Sequence, residues 1–512
     1  MNFILFNPDE MRAESLGCYG HPVAQTPNLD RLATRGVRFD QCHVQHTVFT
    51  PSRCSFMTGW YPHVRGHRTL WHSLQPDEPN LLKYLKEAGY TVNWWGKNDL
   101  LAQESFEESV TNAGHASGKQ QPDGNALPPL GTSGQASGRR GANPYEQDDP
   151  RFYSFLYEPM DIELEQHGDW QCVQRAIEFL RSGPKEPFCL YLPISFPHCP
   201  YHAPQPWHDM IDPASLPELR PVEGTNLPDY HALIRRYRRL DQTDQALLRK
   251  INAVYLGMIG FVDHMLGDLL DALDESGFAE STSVFAFSDH GDWAGDRGLV
   301  EKWPSALDDC LTRVPMIVRT PGNAPGHVVC EPIETFDMMA TVLDLAGITP
   351  THTHFAQSFR HQLEGNPGDP GRAVFAEGGY DPHEPHCFEG HPPRRETLHD
   401  PAHIYAPKLL QQQEYPESVC RATMIRTLTH KLVRRPHGVS ELYDLTADPR
   451  ELINRYDEPE LAAVRKELED RLLDWYIHTA DCVPWCEDPR GFFGDRKRYT
   501  HDYRLMPVND SR

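Results

Sequence analysis

Three polar clusters carry the side chains of this chain that are best suited to chemistry. They are Asp9-Glu10, Gly96-Lys97-Asn98-Asp99 and Ser288-Asp289-His290-Gly291. Each follows a predicted buried strand, and ligands of a parallel sheet bind at the carboxyl ends of its strands. The acidic pair and the Asp-His pair could meet around one divalent cation, since carboxylates favour Ca²⁺, Mg²⁺ or Mn²⁺ and imidazole favours Mn²⁺ or Zn²⁺. Taken singly, each cluster is weak evidence for a metal site, because an Asp that follows a strand is more often a helix cap than a metal ligand.

The elements that must position these clusters alternate between strands and helices. The predicted strands are Phe3–Phe6, Thr91–Trp95, Phe188–Ile194, Val284–Phe287 and Val314–Val318. The predicted helices are Asn80–Ala88, Trp170–Arg181, Gln242–Asp274 and Phe336–Ala346, with further helix starts at Thr26 and near Pro51-Ser52. Such alternation predicts an α/β fold with a large, mostly parallel mixed sheet sandwiched by helices.

A smaller C-terminal α+β domain is predicted after the alternating region. Short antiparallel strands are expected at Ala422–Ile425, Lys431–Val433 and Glu441–Tyr443, followed by a helix over Pro459–Tyr476. We therefore divide the chain into a catalytic α/β domain over 1–375 and a second domain with an extended tail over 376–512. Within the first, residues 112–143 are rich in Gly, Ser and Pro and predict a long loop.

Composition bears on the partners and the location of the protein. A net charge of −24 and a pI of about 5.5 argue against a nucleic-acid partner, which needs a basic face. No apolar run approaches the roughly 20 residues that span a membrane, so no membrane partner is expected. The first residues lack the features of a leader, which predicts a cytoplasmic location with reduced cysteines. A small anionic substrate stays compatible, because a few focused cations override the global charge inside a cleft.

Motifs along nearly the whole chain resemble the sulfatase family. Thr50-Pro51-Ser52-Arg53-Cys54 through Thr58-Gly59 is similar to the family signature of Cys or Ser, any residue, Pro, Ser and Arg, ending in Thr-Gly. Gly89-Tyr90 through Gly96-Lys97 resembles the second signature. The other similar motifs are Asp9–Arg12, Leu16–Gly20, Thr26–Leu32, Phe196–His198, Ser288–Gly291, Gly295–Gly298, Arg313–Pro315 and Glu441–Leu445 with Asp448-Pro449. The chain thus resembles the sulfatase and phosphonate monoester hydrolase branch of the alkaline-phosphatase-like superfamily.

The resemblance implies a metal site and a set of cations around the substrate. Asp9, Asp289 and His290 would hold one divalent metal ion, with Glu10 as a fourth ligand and with Ca²⁺ favoured over Mn²⁺ or Mg²⁺. The residues implied to act on the ester are Arg53, which would steady the nucleophile, and Lys97, His198 and Lys302, which would contact its anionic oxygens or leaving group.

Three further residues are candidates for substrate binding. Asp99 stands where the family usually has His, which adds negative charge and removes a donor, so leaving-group assistance is expected to differ. His63 and Arg65 follow the signature helix and could read a second anionic group, although surface salt bridges explain them equally well.

Phe49 occupies the position of the family nucleophile. The family matures a Cys or Ser there to formylglycine, whereas a benzyl group has no lone pair with which to attack. Four explanations stay open. The protein is an inactive relative that binds anions, the residue has been altered, the letter stands for a modified residue, or Thr50 acts as the nucleophile.

The resemblance implies a metal-dependent hydrolase of sulfate esters, with a sulfated sugar as one substrate option. The alternatives are a phosphonate or phosphate mono- or diester hydrolase and a catalytically inactive anion-binding protein. A homo-oligomer is compatible with the aperiodic tail.

A His-rich stretch suggests a second metal site only weakly. His383, His386 and His391 with Cys387 fit no standard zinc spacing, so a solvated loop on the substrate side is the favoured interpretation.

Overall fold

A mixed sheet, with nine strands among the described residues, forms the centre of the protein. The computed structural model describes residues 1–114, 143–390 and 400–482, so most of the predicted 112–143 loop, His391 and the tail lie outside the described residues. The strands are β1 (Asn2–Pro8), β2 (Val37–His43), β3 (Thr91–Trp95), β4 (Asn112–Gly114), β5 (Phe188–Ile194), β6 (Thr282–Phe287), β7 (Arg313–Val314), β8 (Met316–Arg319) and β9 (His327–Glu334).

The sheet is parallel at its centre and mixed on one side. The order begins β4-β3-β5-β1-β6-β8-β2, and the first five strands run parallel to one another. The pair β7 and β8, interrupted at Pro315, runs antiparallel to β2, and β9 pairs with β2 in parallel. The carboxyl ends of β1, β3, β5 and β6 therefore share one edge, where a site can assemble.

Helices cover both faces of this sheet. The α-helices of the described residues are α1 (Pro27–Arg35), α2 (Phe49–Thr58), α3 (Pro62–Arg65), α4 (Leu81–Glu87), α5 (Phe106–Ser109), α6 (Gly168–Arg181), α7 (Asp229–Tyr237), α8 (Gln245–Glu275), α9 (Asp309–Thr312), α10 (Asp337–Ala346), α11 (Arg360–Leu363), α12 (Ala406–Glu414) and α13 (Ala462–Thr479). Alternate residues of β1 point to opposite faces. Ile4 and Phe6 join a core with α1, α6 and α8, while Phe3 and Leu5 join a core with α2, α4 and α10.

A second, antiparallel sheet packs beside the first and has four strands in the part of the chain that the structure describes. It contains β10 (Val374–Gly378), β11 (Ala422–Arg426), β12 (His430–Arg434) and β13 (Glu441–Asp444). Buried Lys431 of β12 reaches Asp309 of α9 at 3.1 Å and also bonds Glu451, which ties the small sheet to the large one. The predicted fold class is confirmed, while the boundary predicted after residue 375 falls inside β10, so the division into domains stays a prediction.

Helix α8 is the longest of the described helices and belongs to the core. Of the described helices it is the one apolar and long enough to cross a membrane by composition, yet 89% of its most apolar window is buried within the protein. Gly257 lies where α8 approaches the chain at Trp207, and a Cβ there would come 2.0 Å from the Trp207 carbonyl oxygen. At Gly260, one turn further on, a Cβ would meet the flexible side chain of Met210, with its Sδ at 2.8 Å.

The contrast between these two glycines predicts a large loss of stability on substitution by alanine at one and a small change at the other. We expect Gly257→Ala to lower the free energy of unfolding by about 2–3 kcal/mol, because backbone must move to remove the overlap. Gly260→Ala should stay within about 1 kcal/mol of the unaltered protein, since Ala favours the helix and Met210 can turn away. Urea denaturation measures both, and equal stability of the two variants would contradict this packing of α8.

Candidate active site

A buried ion pair between Arg53 and Asp289 lies at the carboxyl edge of the sheet. Asp289 follows β6, and Arg53 lies on α2, whose first residue is Phe49. The Nε and Nη2 atoms of Arg53 lie 2.9 and 2.8 Å from one oxygen of Asp289, and the backbone amides of Glu10 and His290 donate to the other at 3.2 and 3.1 Å. Burial acts to raise the pKa of Asp289, but Arg53, His290, Lys97 and the amide of Glu10 together outweigh it and lower the pKa to about 2.

Three side chains converge in a geometry that fits a metal ion. The ligand atoms of Asp9, Asp289 and His290 all lie within 4.8 Å of one another, and the three residues are fully buried. Oδ1 of Asp9 is 3.4 Å from Nε2 of His290, and neither atom has a hydrogen-bond partner among the described residues. The Nδ1 atom of His290 bonds to the carbonyl of Gly291 at 2.9 Å, which leaves Nε2 as the free acceptor. Two buried, unpartnered acceptors facing each other suit a cation between them.

Lys97 forms ion pairs with both Asp9, one of the three candidate metal ligands, and Asp99. Its Nζ bonds Oδ2 of Asp9 and lies 2.7 Å from Oδ2 of Asp99. Burial acts to raise the pKa of Asp99, but the charges of Lys97 and Arg53 lower it below its ordinary value. The negative charge at position 99 therefore holds Lys97, and its predicted contact with substrate stays a prediction.

Glu10, Lys302 and His198 form a second buried group beside the first. Nζ of Lys302 bonds the Glu10 carboxylate and lies 3.0 Å from Nε2 of His198. Glu10 accepts a further bond from the backbone amide of Cys199 at 3.3 Å, and its φ of 64° lies in the left-handed region. The predicted fourth metal ligand is thus engaged with Lys302 and with the amide of Cys199, and its role as a metal ligand stays a prediction.

The protonation of this group follows from burial and charge. Burial and the charges of Lys302 and Lys97 lower the pKa of His198 well below its usual value. Nδ1 of His198 lies 2.5 Å from the carbonyl of Cys199 and donates to it, so Nε2 is free to accept from Lys302. Burial also raises the pKa of Glu10, against the opposing charge of Lys302.

Phe49 is buried beside the two lysines Lys97 and Lys302. The Nζ atoms of Lys97 and Lys302 lie 5.3 and 5.5 Å from the centroid of its ring, within the range of cation–π attraction. The hydroxyl of Thr50 donates to the carbonyl of Leu70 at 3.5 Å. The first turn of α2 therefore offers an aromatic face at the nucleophile position.

Two predicted substrate residues have partners elsewhere. Nδ1 of His63 lies 2.7 Å from Glu377, and its Nε2 lies 2.9 Å from both oxygens of Thr479, so both ring nitrogens are engaged. Arg65 is largely exposed, stacks over Trp60 and lies 3.9 Å from Glu78. The structure does not bring either residue into the contacts around Phe49, and their role in substrate binding stays a prediction.

Two supporting residues gave no signal in the sequence. Tyr255, within the apolar α8, donates to the carbonyl of Glu10 at 2.5 Å. Lys408 of α12 lies 3.0 Å from Glu301, the neighbour of Lys302. Burial of a lone Tyr or Lys on an otherwise ordinary helix becomes visible only once the fold is known.

Removing Arg53 should test the buried ion pair. We expect Arg53→Met to lower the free energy of unfolding by about 3–5 kcal/mol, because Asp289 would be left buried and unpaired. Arg35→Met, which removes a partner of Asp274 at 2.9 Å on the exposed surface, should cost less than about 1 kcal/mol. Urea denaturation without added metal ions measures both, and similar costs would show that Arg53 does not compensate Asp289.

Known proteins are similar to this chain over most of its length. The family model described as Sulfatase matches residues 1–348. An N-acetylglucosamine-6-O-sulfatase of Bacteroides thetaiotaomicron is 25% identical, covering 97% of this chain and 90% of its own. The multifunctional alkaline phosphatase superfamily protein PehA of Trinickia caryophylli is 26% identical, covering 93% of each chain.

Solved structures share the fold over almost the whole chain. A phosphonate monoester hydrolase of Agrobacterium radiobacter has a TM-score of 0.70 at 22% identity, covering 93% of this chain and 96% of its own. The phosphonate monoester hydrolase SpPMH of Silicibacter pomeroyi has a TM-score of 0.73 at 21% identity, covering 97% and 99%. Since the family model spans well over half of the sequence, this protein belongs to the sulfatase family and is a sulfatase-like hydrolase of the alkaline-phosphatase-like fold.

Proposed function

We propose that this protein is a metal-dependent hydrolase of sulfate esters whose anion site lies between Lys97 and Lys302. The observation that carries the proposal is the position of residue 49, flanked by both lysines beside the group of Asp9, Asp289 and His290. A sulfated sugar is the proposed substrate class, supported by the N-acetylglucosamine-6-O-sulfatase among the relatives.

The charges of the cleft suit a singly charged anion once a cation is bound. Carboxylates outnumber cationic side chains by one among the buried groups Asp9, Glu10, Asp99, Asp289, Arg53, Lys97 and Lys302. A divalent ion held by Asp9, Asp289 and His290 would reverse this sign, and it would supply Lewis acidity toward a substrate oxygen. The reversed sign favours the sulfate group of an ester in an otherwise acidic protein.

The side chains around the proposed anion site have three different roles: charge stabilisation, proton donation and orientation of Asp289. Lys97 and Lys302 stabilise the negative charge that develops on the ester oxygens. The Lys302 ammonium, 3.0 Å from the unprotonated Nε2 of His198, is the group of this pair that carries a transferable proton, and giving that proton to the leaving oxygen would leave Lys302 as a neutral amine. Arg53 keeps Asp289 ionised and oriented, as its contacts at 2.9 and 2.8 Å require.

Phe49 does not fit the formylglycine of the family, which is made from Cys or Ser. Its ring supplies neither a nucleophile nor a metal ligand, and no catalytic step is assigned to it. Binding of the ester and its cleavage are therefore separable in this protein.

Replacing Phe49 tests both binding and turnover. Mass spectrometry of the peptide that carries residue 49 first establishes its chemical identity. We expect Phe49→Cys, expressed together with the formylglycine-generating enzyme, to hydrolyse an aryl sulfate on the order of 10³-fold faster than the unaltered chain, because a nucleophile is restored. Phe49→Ala is the matched control, since it opens the same space without a nucleophile and should stay at the unaltered rate.

Two outcomes would change the proposal. Turnover by the unaltered chain equal to that of Phe49→Cys would show that residue 49 is not the nucleophile position. Saturable binding of the ester without turnover in any variant would support the alternative of an inactive anion-binding protein.

A phosphonate or phosphate ester hydrolase is the second candidate. A phosphonate monoester carries the same single charge as a sulfate ester, so the cleft described above accepts it as well. The multifunctional relative PehA supports the possibility of mixed specificity. Assaying Phe49→Cys with a phenyl phosphonate monoester beside the aryl sulfate decides between them by the ratio of the two kcat/KM values.

Metal dependence should appear as stabilisation by a divalent ion. We expect Ca²⁺ or Mn²⁺ at 100 times its dissociation constant to raise the free energy of unfolding by about 2.7 kcal/mol, because only the folded chain assembles the ligands. Asp9→Asn should abolish this gain, whereas Asp271→Asn, on the exposed surface of α8, should keep it. Thermal unfolding with and without a chelator measures the effect. The absence of any shift with Ca²⁺, Mn²⁺ or Mg²⁺ would contradict the metal site.

A further inference from the structure

A second group of metal-type ligands lies outside the catalytic cleft. The ligand atoms of His72, His386 and Cys387 all lie within 4.8 Å of one another. His386 and Cys387 belong to a 3₁₀ turn over Pro385–Cys387, while His72 comes from the segment that follows α3. The two segments are more than 300 positions apart in the sequence. From the sequence, Cys387 is therefore grouped only with the histidines near it, and His72 is not included.

The donor set of this group is characteristic of a soft or borderline metal. Two imidazoles and one thiolate suit Zn²⁺, and a three-residue set leaves one tetrahedral position open. Cys387 is buried, His72 is half-buried and His386 is exposed, so an ion can enter from solvent and reach the thiol. We propose that His72, His386 and Cys387 bind Zn²⁺ at a site separate from the catalytic cation.

Existing contacts already hold the two segments at the right separation. The indole Nε1 of Trp71, beside His72, donates to the carbonyl of Phe388, beside Cys387, at 2.9 Å. The rings of His72 and His386 have their centroids 6.3 Å apart. Ligands brought together by other contacts need little reorganisation when the ion binds.

The protonation states are compatible with binding at a modest cost. Burial and the neighbouring His67 and His386 lower the pKa of His72, which keeps its imidazole neutral as a ligand must be. Burial and the carboxylate of Glu384 raise the pKa of Cys387 to about 11, so the metal replaces the thiol proton. Nδ1 of His72 accepts from the amide of Arg68 at 3.2 Å, and this bond must be given up whichever nitrogen binds. One neutral hydrogen bond is a small loss against a metal–thiolate bond.

The site would fix a segment that packs against the catalytic helix. The thiol of Cys54, on α2, donates to the carbonyl of His72 at 3.6 Å, and Thr50 of the same helix contacts Leu70. A metal at His72 would therefore join the turn over Pro385–Cys387 to the backbone that lies against α2. This gives Zn²⁺ a structural role near position 49 that does not depend on the reaction.

Cobalt titration of the full chain tests the site without any assay of activity. After chelator treatment, Co²⁺ is added and the thiolate-to-cobalt charge-transfer absorption is followed. We expect the band in the unaltered protein and in Asp9→Asn, because Asp9, Asp289 and His290 supply no thiolate. It should disappear in Cys387→Ser and persist in the control Cys330→Ser, which removes an exposed thiol.

A variant at an exposed position separates loss of metal binding from loss of folding. His386→Gln changes an exposed side chain, and it should weaken Co²⁺ and competing Zn²⁺ binding about tenfold or more while thermal stability in chelator is unchanged. A band that persists in Cys387→Ser, or no band in the unaltered protein at saturating Co²⁺, would overturn the proposal.

Discussion

The ion pair between Arg53 and Asp289 is the contact on which the rest of the cleft depends. Both side chains are fully buried, so each charge is acceptable only because the other compensates it. The remaining oxygen of Asp289 accepts from the amides of Glu10 and His290, and Ser52 donates to its carbonyl at 2.6 Å. These bonds join the ends of β1 and β6 to the first turns of α2. The position of residue 49 over the sheet follows from them.

This charge network does not need a nucleophile to persist. Lys97 is neutralised by Asp9 and Asp99, and Lys302 by Glu10, whereas Phe49 contributes only the weak attraction of its ring for two amines. Such an attraction is worth about 0.5–2 kcal/mol for each cation, far less than an unpaired buried charge would cost. The buried charge network is therefore stable with Phe49 in place. This explains why an aromatic residue at position 49 coexists with an otherwise complete set of charged groups.

Much of the fold was predictable because its signals are local. Buried apolar runs such as Phe188–Ile194 mark the parallel strands, and the clusters at Asp9, Lys97 and Asp289 follow such strands directly. Strands β2 and β9 were missed, since they pair with each other across almost 300 positions and β9 contains Pro332 beside a register shift. The convergence of the site was predictable from sheet topology. The side-chain directions were not, as the left-handed backbone of Glu10 and the approach of His72 to Cys387 show.

The most direct measurement is a crystal structure of the full chain grown with Mn²⁺ and sulfate, in which anomalous scattering locates the metal. The account predicts a manganese peak among Asp9, Asp289 and His290, with sulfate between Lys97 and Lys302 against the ring of Phe49. Manganese bound elsewhere, with those three side chains apart, would contradict it.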